Sequence, residues 1–163
     1  MDLETAIRTR RTHKAYAPEP VDRETLDELF ELARWAPNHH LTNPWRFRVV
    51  GPNALERLKQ AAGPEAAAKL DRAPTLVVVS ALGDEEDRDA TAAAAYIVLL
   101  AAHARGLATY WRTPAVLQTP EGRAAVGVED GEQVLGLLHL GHPRQEQRVP
   151  ERAPTRDVVT YLE

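Results

Sequence analysis

The chain contains no cysteine, which removes disulfides, thiolate zinc sites, iron–sulfur clusters and cysteine nucleophiles together. It has no excess of positive charge: 20 Lys and Arg stand against 24 Asp and Glu, a net −4, so a general nucleic-acid-binding face is not expected. It has no long hydrophobic run, and the stretch Ala92 to Ala102 falls far short of the roughly 20 apolar residues that a spanning helix needs. The N-terminus lacks the basic-then-apolar layout of a secretory signal, and Asp2 and Glu4 do not suit an acid-poor transit peptide. Together these absences predict a soluble, cytoplasmic protein with no membrane partner. There is no G-x-G-x-x-G after a strand, no P-loop, no H-E-x-x-H and no G-x-S-x-G, so the chemistries tied to those motifs lack support.

What is present is an ordinary globular composition, 44% hydrophobic over 163 residues, enough for one domain spanning 1–163. Asp2 and Asp22 predict helices over about 2–9 and from 22 to Pro37. Between them lie a basic run and Ala17-Pro18-Glu19-Pro20, whose alternate prolines enforce extended chain. Trp45 to Val50 alternates like a half-buried strand, and residues 54–71 hold two short helices broken at Gly63-Pro64. Thr75 to Ser80 and Gln133 to Leu140 read as buried strands, Leu107 to Trp111 as a short one, and Pro120 to Val126 as a short helix. The longest helix runs from about Arg88 to Arg105 and is almost apolar all round; such a helix wants cover on every side, so a dimer interface along residues 90–104 is expected. A charged tail follows, ending in a strand-like hook over 158–162. The order α-α-β-α-α-β-α-β-α-β predicts an α/β or α+β sheet wrapped by helices.

Four constellations could carry chemistry. Arg10-Arg11-Thr12-His13-Lys14 suits a phosphorylated ligand, although a solvated basic turn has the same composition. The segment Ala36-Pro37-Asn38-His39-His40-Leu41-Thr42-Asn43-Pro44, with Trp35 and Trp45 at its ends, could line a pocket for a flat heteroaromatic ring. Its adjacent histidines cannot both face one ion from an extended backbone, so a metal site is not expected there. Thr109-Tyr110-Trp111-Arg112-Thr113 ends a strand and either presents a cation to a ligand or is a structural tryptophan beside an exposed arginine. Gly141-His142-Pro143-Arg144 either delivers Arg144 to a phosphate or is a plain turn.

In this order the segments resemble the nitroreductase family, in particular its small, compact branch. The resemblance rests on Arg10-Arg11-Thr12, on Ala36-Pro37-Asn38-His39 leading to Asn43-Pro44-Trp45-Arg46-Phe47, and on the alanine-rich helix ending Ala104-Arg105-Gly106. It continues through Trp111-Arg112-Thr113 and Leu137-Leu138-His139-Leu140-Gly141-His142-Pro143, nearly the whole chain. It implies an α+β fold with a central mixed or antiparallel sheet flanked by helices, in an entwined homodimer with FMN at the subunit interface. Carried over by position, Arg10, Arg11 and Thr12, with Trp111, Arg112 and Thr113, contact the FMN of their own subunit; Trp35 and His39 reach it from the partner chain.

The resemblance also implies an NAD(P)H oxidoreductase acting on nitroaromatics, quinones or similar small acceptors, with hydride passing through flavin N5 in a ping-pong scheme. No protein side chain then serves as acid, base or nucleophile, because the cofactor carries the chemistry. A guanidinium, Arg10 or Arg112, stabilises negative charge over N1 and the C2 carbonyl, leaving the other or Arg144 for the phosphate. The alternative reading is a flavin-binding protein that stores, senses or turns over flavin without nicotinamide; a third is an interaction domain with an empty fold. Lys14 stands where many relatives have arginine, Trp35 is bulky for its position, and residues 52–72 are short.

Overall fold

Short polar side chains start the helices. In the computed structural model, which describes residues 1–162, Asp2 accepts from Thr5 N–H at 2.9 Å and opens α1 (Leu3–Thr9). Asp22 accepts from Thr25 N–H at 2.8 Å and opens α2 (Arg23–Ala33), whose Leu26, Leu29 and Ala33 are buried. After β1 (Trp45–Val49) come α3 (Pro52–Ala62) and α4 (Pro64–Leu70), each with proline in its first turn. Gly63 separates them at φ 75°, a backbone state that favours glycine. Then follow β2 (Thr75–Ala81), α5 (Glu85–Ala104), β3 (Ala108–Arg112), α6 (Pro120–Ala125) and β4 (Gln133–Gly141). Single 3-10 turns lie at His39–Leu41, inside the expected loop over 38–44, and at Ala115–Gln118.

The four strands form one sheet in the order β1-β2-β4-β3, and all three ladders are antiparallel. This settles the expected sheet as antiparallel within an α+β fold. β2 is buried at every position and divides two cores. On one face Val77, Val79, Leu138 and Leu140 pack with Leu29 of α2 and Val98 of α5; on the other Leu76, Val78 and Leu137 pack with Leu58 and Leu117. Truncating a fully buried leucine such as Leu29 or Leu138 costs about 2–5 kcal/mol.

One expectation is corrected. Residues 158–162 form no strand: Val158, Tyr161 and Leu162 are 74%, 92% and 92% exposed, because strand propensity is idle without an edge to pair with. The sheet and α2 bury most of the long helix and supply much of the cover that its apolar residues need. What remains is one partly exposed stripe, Ala93, Tyr96, Ile97, Leu100 and His103, of which Tyr96 is the exposed member while Ala93 and Ile97 also pack on the core. Among the described residues no helix is long and apolar enough to cross a membrane.

A buried ion pair ties β1 and β2 to the residue that leads into β4. Glu132, with 2% of its side chain exposed, accepts from both ends of the Arg48 guanidinium at 2.5 and 2.9 Å, and from the Ser80 hydroxyl. Burial pushes its carboxyl up, but the hydrogen bonds from Arg48, Ser80 and the Glu129 N–H outweigh that and hold it below its ordinary value.

Candidate functional site

The chain leaving α1 is stitched along the edge of the sheet. His13 N–H donates to the Thr109 carbonyl at 3.0 Å, Tyr16 O–H to the His13 carbonyl at 2.8 Å, and Ala17 N–H to the His142 carbonyl at 2.9 Å. Thr12 bridges Thr109 in parallel and Tyr16 bridges Pro143. These contacts seat Arg10, Arg11 and Thr12 beside the start of β3 and bring the tail after β4 over them. Gln147, Arg148, Pro150 and Arg152 complete a cavity of about 270 Å3 with those three residues. A second depression, about 390 Å3, shares Arg10, Arg11 and Arg152 and adds Ile7, Tyr96 and Val149.

The cradle is strongly electropositive. Four guanidiniums line it with no carboxylate among them, and among the described residues none of the four is in an ion pair. The Gln147 amide nitrogen is buried there without an acceptor. Two histidines next to it register the field. His13 and His103 are both held below the ordinary imidazole value, first by burial; His103 and Arg10 then act on His13, and Arg10 and Arg11 on His103. The His103 ring is itself fixed by the Thr9 hydroxyl at 2.8 Å. Such a set of donors is built to receive a compact polyanion.

Trp111, Arg112 and Thr113 lie at the other end of β3. Arg112 follows Thr109, the partner of Thr12, by three residues, about 10 Å along a strand. The Trp111 indole N–H donates to the Leu135 carbonyl at 3.2 Å and lies over Gly136. A Cβ on Gly136 would meet the Arg112 carbonyl oxygen at 2.5 Å and the Trp111 Nε1 at 2.6 Å, so the position demands glycine, in keeping with its φ of 152°. The Arg112 guanidinium reaches the Lys69 carbonyl at 3.4 Å. Beneath the same stretch His139 is fully buried beside Tyr110, with neither ring nitrogen partnered; burial, then Arg112 and Arg72, push it down to about 4.

Trp35 and His39 stand apart from these groups within one chain. Trp35 is 77% exposed at the end of α2, its indole N–H on Glu31 at 3.4 Å. His39 lines a depression with Asn38, Glu86 and Ala93 near the start of α5, whereas the cradle lies beside His103 near its end. Ten helical residues from Ala93 to His103 span about 15 Å. The loop carrying His39 is strained, with His40, Leu41 and Asn43 at φ 53°, 53° and 48°. It is held by Asn43 N–H on the Asn38 side chain at 2.9 Å and by the Thr42 hydroxyl on Asp87 at 2.5 Å.

The structure thus gathers Arg10, Arg11 and Thr12, places Trp111 to Thr113 farther along the same strand, and leaves Trp35 and His39 elsewhere. Arg144, weighed in the sequence as a phosphate ligand, lines a different depression from Arg10. Gln147, Arg148 and Arg152 are absent from the sequence reading; the signal for the arginines was their spacing of four in the tail.

A family model described as the nitroreductase family matches residues 7–142. "Putative NAD(P)H nitroreductase YfhC" of Bacillus subtilis (strain 168) is 27% identical, over 98% of this chain and 94% of its own. "Putative NAD(P)H nitroreductase YdjA" of Escherichia coli (strain K12) is 29% identical over 98% of each. Among solved structures, the nitroreductase-like family protein from Bacillus cereus superimposes with a TM-score of 0.89 at 24% identity, covering 100% of this chain and 97% of that one. A "putative nitroreductase in complex with fmn" from Desulfovibrio desulfuricans subsp. gives a TM-score of 0.85 at 25% identity, covering 100% and 98%.

Proposed function

This chain belongs to the nitroreductase family, and from that premise we propose that it is an FMN-dependent NAD(P)H oxidoreductase reducing small electron-poor acceptors such as nitroaromatics or quinones. The observation that carries this reading is the carboxylate-free cradle of Arg10, Arg11, Arg148 and Arg152 around the buried, unpartnered Gln147 amide. A buried donor without an acceptor is costly unless a ligand supplies one, and a phosphate monoester supplies several. The residues present therefore fit the phosphate end of FMN.

FMN, when bound, supplies the two-electron chemistry, taking electrons from NAD(P)H and passing them to the acceptor. The chain's part is to bind, orient and shield. Arg10, Arg11, Arg148 and Arg152, with Thr12 and Gln147, would hold the phosphate. Trp111, Arg112 and Thr113, farther along β3, would hold the ring system of FMN. With Arg10 engaged at the phosphate, Arg112 is the guanidinium left to stabilise negative charge on the ring system. The protein needs no general acid, base or nucleophile of its own. Donor and acceptor use one opening in turn, which predicts ping-pong kinetics.

The working unit is a homodimer of this single domain, residues 1–163. Its support is the partly exposed stripe of α5 around Tyr96 and the separation of Trp35 and His39 from the cradle within one chain. Trp35 and His39 of the partner subunit then reach the flavin that the first subunit cradles. A reducing, cytoplasmic setting suits a cysteine-free chain fed by NAD(P)H.

The test is the visible spectrum of the purified protein after excess FMN and gel filtration, followed by anaerobic NADH or NADPH. Near one FMN per chain on a dimer-sized species, bleached by the nucleotide, is the expected result. Retained flavin that no nicotinamide bleaches would favour a storage or sensing protein, and no retained flavin would defeat both readings.

A further inference from the structure

A third cationic depression, about 800 Å3, shares no lining residue with the cradle. Exposed Lys14, Arg72 and Arg144 line it from three separate segments, together with Tyr16, Pro18 and Pro74. The only acid at its margin, Asp71, is already bound to Lys59. Among the described residues none of the three cations makes an ion pair. The charge of Arg72 is also felt inside the protein: after burial and Arg112, it is the next cause holding His139 neutral.

Three uncompensated like charges repel one another, and this arrangement loses that penalty when an anion enters. The apolar remainder of the lining suits a ligand whose anionic group is attached to an organic body rather than a bare ion. The position also matters. Lys14 is two residues beyond Thr12, about 6–7 Å along extended chain, so the two depressions open from the same segment.

We propose that Lys14, Arg72 and Arg144 form a second phosphate subsite that takes the 2′-phosphate of NADPH, so that this protein prefers NADPH to NADH; the proposal rests on the flavin-oxidoreductase reading above. A 2′-phosphate brings a charge of roughly −1.5 to −2 at neutral pH to three waiting cations. NADH presents only a hydroxyl there and leaves them without a counter-charge. The discrimination is electrostatic and weakens as salt rises.

The probe is adenosine 2′,5′-bisphosphate, compared with adenosine 5′-monophosphate, titrated by calorimetry into the FMN-loaded protein. The bisphosphate is expected to bind at least about tenfold more tightly, the worth of one charge-assisted hydrogen bond to a phosphate. Arg144→Ala and Arg72→Ala should each remove most of that preference and raise the KM for NADPH about tenfold. Both should leave FMN content and the KM for NADH unchanged. Equal binding of the two nucleotides by the parent protein would overturn the proposal. So would loss of FMN from the Arg144→Ala protein, because the subsite would then belong to the flavin's own phosphate. A protein that holds no FMN yet still prefers the bisphosphate would defeat the flavin reading and leave the subsite standing.

Discussion

Replacing Arg10 with alanine isolates the phosphate end of the site. Arg10 is half-buried at the junction of the two depressions formed by α1, the extended segment and the tail, and it has no carboxylate partner among the described residues. A hydrogen bond to a charged group contributes about 1.5–3 kcal/mol, so the dissociation constant for FMN should rise by about 10- to 150-fold. At FMN equal to 100 times the parent's constant, mass action stabilises the parent by about 2.7 kcal/mol and the weakest variant by only a few tenths. For a domain of this size that difference removes roughly 5–10 °C of FMN-induced rise in Tm. Fluorescence titration gives the affinity and thermal melts with and without FMN give the linked stability. Two comparisons make the test specific. Riboflavin, which lacks the phosphate, should bind the parent and the Arg10→Ala protein alike. Arg8→Ala should change little, because Arg8 is exposed and its charge is spent on Glu4 at 2.8 Å. Undiminished FMN affinity in the Arg10→Ala protein, or an equal fall for riboflavin, would refute the cradle.

Glu132→Gln removes one partner of a buried ion pair and should destabilise the fold by about 3–5 kcal/mol, read from urea midpoints. Because the Glu132 carboxyl is held below its ordinary value in the fold, its contribution is present above the unfolded value of 4.5 and is lost as pH falls through the lower folded one. His139 acts at higher pH: its folded value of about 4 lies below the unfolded 6.5, so the folded state takes up fewer protons and loses about 3 kcal/mol as pH falls across that window. His139→Leu should flatten this limb of the stability profile; an unchanged limb would show that His139 does not cause it. Leu100→Asp places a charge on the partly exposed stripe of α5 and should yield a monomer by light scattering that no longer retains FMN. A dimer that keeps its flavin would place the interface elsewhere.

The elements were legible where local chemistry decides them. Asp2, Asp22, the Gly63-Pro64 break and Gly106 mark helix ends through caps and backbone freedom, and the runs at 75–80 and 133–140 mark strands through apolar continuity. Long-range pairing was less accessible. Nothing local in residues 158–162 shows that they find no sheet edge, and nothing local around 39–43 reveals three non-glycine residues at positive φ. The basic run at 10–14 was visible as a candidate, but its meaning was not: the same residues make a solvated turn or a ligand cradle. What decides is the return of Gln147, Arg148 and Arg152 from more than 130 residues away, a tertiary event carried by the bridges of Thr12 to Thr109 and Tyr16 to Pro143.

The proposed homodimer would also account for the strain near His39. Left-handed conformations at His40, Leu41 and Asn43 cost about 1–3 kcal/mol each, and within one chain the loop gains from them little beyond the Asn38 and Thr42 contacts. Those contacts fix the loop rather than bury it, for Leu41 is 77% exposed, as is Trp35. A rigid, strained loop that offers its largest side chains to solvent is shaped for a surface outside its own chain. In the homodimer proposed here that surface is the other subunit's flavin site. There the cradle end of α5 in one subunit and the loop at the start of α5 in the other would complete one site between them, and contacts across the pair would meet the strain. The same geometry joins cofactor binding to assembly, so FMN should tighten the dimer by as much as dimerisation tightens FMN.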